Sequence, residues 1–192
     1  MRSFIFSFFL LVFFSLPTIT SAQNHFYLGL GTVSSFGNTI SEDKQHKSKN
    51  LLDFSLFCGN EFRINDYIKT SLEVFYLNNR LVLAREENKR FELHQNIGIS
   101  LKPGLYFKRH TIYFNIGLTA VYVFDKDEIQ GNQYDHFDDS FFYGFDYNYS
   151  ITEKIAMNLG FTHSKFESIS HFTNHTLKNF SNLMLTLNYN LY

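Results

Sequence analysis

Three histidines crowd one stretch of the chain, His163, His171 and His175, with Ser164, Glu167 and Ser168 among them. The spacing of His171 and His175 would place both imidazoles on one helical face, as a metal pair requires. A metal site needs three or four converging ligands, and a polar loop that contains histidine accounts for the same residues. Between positions 125 and 139, Asp125, Asp127, Glu128, Asp135, Asp138 and Asp139 stand against Lys126. Such oxygens can meet a divalent cation, but their spacing follows no calcium-loop pattern, so a solvated acidic loop is the simpler reading. Gly29-Leu30-Gly31 is too short for a nucleotide-binding fingerprint and sits inside an alternating segment. Cys58 is the one cysteine, which excludes an internal disulfide and a zinc site built on thiolates.

The segments that must position these groups alternate with a period of two, the mark of a strand with two unlike faces. At 93–107, Leu93, Ile97, Ile99, Leu101, Leu105 and Phe107 share a face, while His94, Asn96, Gly98, Ser100, Lys102, Gly104 and Tyr106 share the other. The same division recurs at 112–124, 141–149, 155–161 and 183–191, and earlier at 26–33, 51–62 and 67–77. That makes eight strands. Their connections alternate in length: short near Asn65-Asp66, Lys108-Arg109-His110 and Thr152-Glu153, long and polar at 34–50, 78–91, 125–139 and 166–180.

Aromatic residues make up 19% of the chain, with 24 Phe and 12 Tyr, and charged residues only 18%. This composition argues against disorder and suits a surface turned toward something other than water. A net charge of -1 gives no overall pull toward nucleic acid. Residues 1–22 read as a cleaved signal peptide: Arg2, an apolar run from Phe4 to Leu16, Pro17, and small residues at Thr20-Ser21-Ala22. The folded domain is then expected at 23–192. No later apolar run is long enough for a spanning helix, so a membrane would be crossed by strands.

The expected fold is all-β: an eight-stranded antiparallel up-and-down transmembrane barrel, with short turns at one end and long loops at the other. Rings gather at strand ends (Tyr76, Phe107, Tyr122, Phe124, Tyr147, Tyr149, Tyr189), as interfacial girdles do. Ile99, Phe114 and Leu187 should therefore face lipid, and Cys58, on the same parity, should act as a small apolar residue. In a secreted sandwich or a lipocalin-like barrel the same residues would face a central core. Eight strands leave a lumen just wide enough for side chains. The inward face would carry Asp53, Glu61, Lys69, Glu73, His94, Lys102 and Asp146, charges that need partners away from water. A salt-bridge network around Glu73, Lys102, Asp53 and Lys69 is expected to plug the barrel; an ion-conducting path, a small pore, is the rival.

The organisation resembles the OmpA-type and opacity-protein group of small outer-membrane barrels. The resemblance is carried by Gly59-Asn60-Glu61-Phe62-Arg63-Ile64-Asn65-Asp66-Tyr67-Ile68 and by Tyr147-Asn148-Tyr149-Ser150-Ile151-Thr152-Glu153-Lys154-Ile155-Ala156. It is carried also by the final Leu187-Asn188-Tyr189-Asn190-Leu191-Tyr192, which looks like the signal read by the barrel-assembly machinery, although Tyr192 is out of phase with the lipid face. The resemblance implies a surface antigen, adhesin or structural barrel in the bacterial outer membrane. The even strand number puts both termini on one side, the periplasmic one, with the long loops outside; no cofactor is expected. Partners would be outer-membrane lipid and lipopolysaccharide, and a host-cell surface ligand. The basic residues of the loops at 34–50 and 78–91 (Lys44, Lys47, Lys49, Arg80, Arg85, Lys89, Arg90) could meet such anionic partners or simply solubilise the loops. His171-Phe172-Thr173-Asn174 also looks like the His-x-Ser-Asn motif of outer-membrane lipid A deacylases. Thr173 replaces the serine, and no carboxylate follows His171 to complete a triad.

Overall fold

A computed structural model of the chain describes residues 24–41, 44–50, 52–84, 89–126, 133–165, 168–170 and 175–191. Among these, the strands are β1 (Asn24–Ser41), β2 (Lys44–Asn50), β3 (Asp53–Arg63), β4 (Ile68–Ala84) and β5 (Lys89–Phe107). They continue as β6 (His110–Lys126), β7 (Gln133–Ser150), β8 (Ile155–Lys165), β9 (Ser168–Ser170) and β10 (His175–Asn190). Each strand lies antiparallel to its neighbours, and β1 pairs with β10 from Tyr27↔Asn190 to Ser41↔His175, which closes the sheet. Here β2 continues the line of β3 and β9 that of β8, so eight staves form the wall. Closure leaves the membrane-facing wall without an unpaired edge, the condition for strands to sit in hydrocarbon.

The short turns are built from their own residues. Asn65 Oδ1 accepts from the Tyr67 and Ile68 amides, both at 2.8 Å, between β3 and β4. Thr152 Oγ1 plays the same part between β7 and β8, accepting from Lys154 N at 3.2 Å and Ile155 N at 3.0 Å. These are side-chain mimics of a backbone turn. Between β5 and β6 only Lys108 and Arg109 intervene, and Lys108 takes φ 55°, the left-handed value that a tight hairpin usually assigns to glycine.

Burial follows the parity expected from the sequence. Outward-facing Leu30 is 63% exposed, Leu187 55% and Phe114 41%, so the side chains of this parity do not share a central core. The inward face is buried and mixed, with Ser55, Ser71, Glu73, Lys102, Thr111, Asn115 and Asp146 among its polar members.

The expected loops are shorter than the alternation suggested. Strands β1, β4, β5, β6, β7 and β10 run for 16 to 19 residues and reach well into 34–50, 78–91, 125–139 and 166–180. Crossing the hydrocarbon takes only about 9–11 residues of tilted strand. Beyond it neither face need be apolar, so the period-two signal stops while the hydrogen-bonded ladder goes on.

Candidate functional site

The inward face of the barrel gathers the charged residues into two clusters. Near the β3–β4 turn, Lys69 Nζ lies 2.6 Å from Glu61 Oε1, and the Tyr113 hydroxyl donates to Glu61 Oε2. One layer deeper, Lys102 Nζ lies 2.5 Å from Glu73 Oε1 and 2.7 Å from Asp146 Oδ2, all three buried. The Tyr27 hydroxyl donates to Glu73 Oε2 at 2.7 Å and sits 2.9 Å from Ser71 Oγ. One ammonium thus serves two carboxylates from β4 and β7, the arrangement that lets buried charges persist without water.

The grouping differs from the one read in the sequence. Lys69 belongs with Glu61 rather than with Glu73, and Asp53, at the far end of β3, accepts from Asn78 Nδ2 at 3.0 Å. Asp146 is the second partner of Lys102. Parity tells which face a residue occupies; it does not tell at which height, because strand tilt and register set that. His94 is placed on β5 opposite Asn79 and Val123; its side chain lies outside what is described.

Above the charged layer the lumen is crossed by rings that the sequence reading left unassigned. Phe57, Phe75, Leu77, Phe142, Met184 and Val33 form one buried apolar cluster, and the Phe75 and Phe142 rings meet edge-on at 5.3 Å. Five large inward rings face a glycine directly across a strand pair: Tyr27↔Gly59, Phe57↔Gly29, Phe75↔Gly98, Tyr113↔Gly104 and Phe142↔Gly117. A Cβ on Gly98 would lie 2.2 Å from Phe75 Cζ, and one on Gly117 2.6 Å from Phe142 Cζ. The glycines make the space into which the rings lie, and they were the signal from which the aromatic layer could have been read. Small cavities of about 20 and 50 Å³ flank Glu73, each with room for a few waters at most.

At the other end of the wall, on the outward parity, His163 Nδ1 lies 2.8 Å from Ser181 Oγ, and its ring is 5.5 Å from that of Tyr143. That is the reach of a nucleophile and its base. Among the described residues no carboxylate bonds to His163 to serve as an orienting third member. His171, Thr173, Asp127, Glu128 and Glu167 lie outside the described residues, as do the side chains of His175, Asp125, Asp135 and Asp138. No group of metal-ligating side chains is assembled among the described residues.

A closed antiparallel wall, apolar outside and mixed within, sets the architecture. The family model described as outer membrane protein beta-barrel domain matches residues 6–190. The chain belongs to that family. This outer-membrane barrel is similar in fold to the attachment invasion locus protein of Yersinia pestis, with TM-score 0.60, 13% identity, and 88% of this chain and 99% of that one covered. It is similar also to Neisserial surface protein A, with TM-score 0.56, 17% identity, and coverage of 85% and 96%. No curated protein sequence matches it. The outer-membrane barrel therefore sits in the lipid of the bacterial outer membrane, its outward apolar side chains turned toward hydrocarbon.

Proposed function

We propose that this outer-membrane barrel is a closed, non-catalytic surface protein whose work is done by the strand extensions and loops at its long-connection end, as an adhesin, surface antigen or structural barrel. The observation that carries the reading is the Lys102–Glu73–Asp146 triad backed by the Phe57, Phe75 and Phe142 layer, two different barriers in series within the lumen. A lumen so filled offers no route for a solute. What remains for interaction is the part of the wall that projects past the membrane, since strands such as β5, 19 residues in all, are longer than the roughly 9–11 residues that cross the hydrocarbon.

In this reading residues 1–22 are removed on export, the three short turns and both termini face the periplasm, and the long connections face outward. The C-terminal strand would be read by the barrel-assembly machinery. The Yersinia protein is known in complex with a heparin analogue, sucrose octasulfate. With Lys44, Lys47, Lys49, Arg80, Arg85, Lys89 and Arg90 in the long connections, a sulfated glycan is a reasonable first host-type probe here as well.

The test is protease treatment of intact cells. Cleavage within 34–50 and 125–139, with the barrel core protected, is the expected result. Protection of both segments in cells, with cleavage only after the outer membrane is broken, would overturn the topology. N-terminal sequencing of the purified protein should begin near Gln23. Incubation with lipopolysaccharide should release no fatty acid; release that vanishes in His171→Ala would make the deacylase reading the better one.

A further inference from the structure

We propose that the β5–β6 turn and the wall beside it form a binding site for the phosphate headgroup of an anionic phospholipid. Lys108, Arg109 and His110 are consecutive and exposed, and among the described residues neither Lys108 nor Arg109 has a carboxylate partner. The other short turns are balanced. Arg63 Nη2 pairs with Asp66 at 2.8 Å between β3 and β4, and Glu153 stands beside Lys154 between β7 and β8. Among the three short turns, unneutralised cations thus gather at this one.

The surroundings point to a lipid rather than a soluble anion. Phe107, His110 and Tyr149 form one row on the outward parity, through Phe107↔His110 and His110↔Tyr149. His110 Nδ1 lies 2.6 Å from the Tyr147 hydroxyl, and its ring is 5.2 Å from the Tyr149 ring. Lys108 Nζ lies 5.3 Å from the centre of the Phe107 ring. Rings at this level of a barrel mark the boundary of the hydrocarbon, and long cationic side chains reach from it to the headgroups. The cations therefore stand at phosphate height with an apolar wall below them for acyl chains. Lys108 also holds a left-handed backbone value where glycine or asparagine would be easier. Strain at a charged residue is what a site that needs the charge would retain. That the turn meets the periplasmic leaflet rests on the topology proposed above; the headgroup chemistry does not.

The experiment is native mass spectrometry of the folded mature chain released from micelles doped with phosphatidylglycerol or with phosphatidylcholine. Retention of phosphatidylglycerol should exceed that of phosphatidylcholine, and each lost cation should lower the excess about fivefold. Lys108→Gln with Arg109→Gln should bring the two lipids level. If that pair fails to fold, Lys108→Gly with Arg109→Gln removes the same charges and relaxes the backbone. Equal retention of both lipids by the unaltered chain, an excess untouched by the substitutions, or displacement of the lipid by inorganic phosphate alone would each overturn the site. None of these outcomes depends on which side of the membrane the turn faces, which the protease experiment decides separately.

Discussion

The Tyr27 ring lies across Gly59 on the neighbouring strand and delivers its hydroxyl to Glu73 one strand further on, at 2.7 Å. A Cβ on Gly59 would come within 2.5 Å of that hydroxyl. Tyr27→Phe removes a bond to a buried carboxylate and should cost about 1.5–3 kcal/mol. Gly59→Ala should cost about 1–3 kcal/mol by displacing the ring. Because both changes break the same contact, the double variant should lose less than the sum. Urea midpoints of the refolded barrel in lipid vesicles measure this; strict additivity would mean that Gly59 and Tyr27 act independently.

Lys102 bridges two carboxylates, so removing it alone is worse than removing the whole triad. Lys102→Met leaves Glu73 and Asp146 buried without a counter-charge and should destabilise by about 3–5 kcal/mol. The triple change Glu73→Gln, Lys102→Met, Asp146→Asn should recover most of that loss. In planar bilayers the triple variant should still show no stable conductance, because Phe75 and Phe142 meet at 5.3 Å above the vacated charges. Steady channels in the unaltered barrel would favour the pore reading instead.

The wall was legible in the sequence because hydrocarbon outside and a narrow lumen inside impose opposite chemistry on alternate residues, as Leu30 against Gly29 or Phe145 against Asp146 shows. Heights were not legible. Lys69 and Lys102 share a face, and only the β4–β5 register, with Lys69↔Gly104 and Ser71↔Lys102, separates their partners. Phe57 and Phe75 share parity with Ser55 and Glu73, but that a narrow lumen has room for their rings shows only once the pairing glycines, Gly29 and Gly98, are set across from them. The outward strand extensions were hidden because nothing outside the membrane requires alternation.

Lys108 offers a substitution that should stabilise. Its φ of 55° crowds a side chain against its own backbone, and glycine does not suffer that contact. Lys108→Gly should raise stability by up to about 1 kcal/mol, offset in part by the greater freedom of glycine in the unfolded chain. A faster refolding rate with an unchanged unfolding rate would place this turn among the first parts to form. Loss of stability would show that the Lys108 side chain contributes more than its conformation costs.

The environment of the outer wall can be tested at Leu30, which is 63% exposed in the middle of the β1 belt, between Leu187 on β10 and Leu56 on β3. In a water-soluble barrel an arginine at such a position would be close to neutral, since the surface is already solvated. In a bilayer the same arginine near the midplane should cost about 2–4 kcal/mol. Arginine at Thr32, one outward position further along the strand, should cost less as the interface nears. Equilibrium unfolding from vesicles of the two variants gives both numbers. A cost at Leu30 near zero would mean that water, not lipid, meets this face, and a cost that does not fall toward the strand end would mean that the belt is not centred on Leu30.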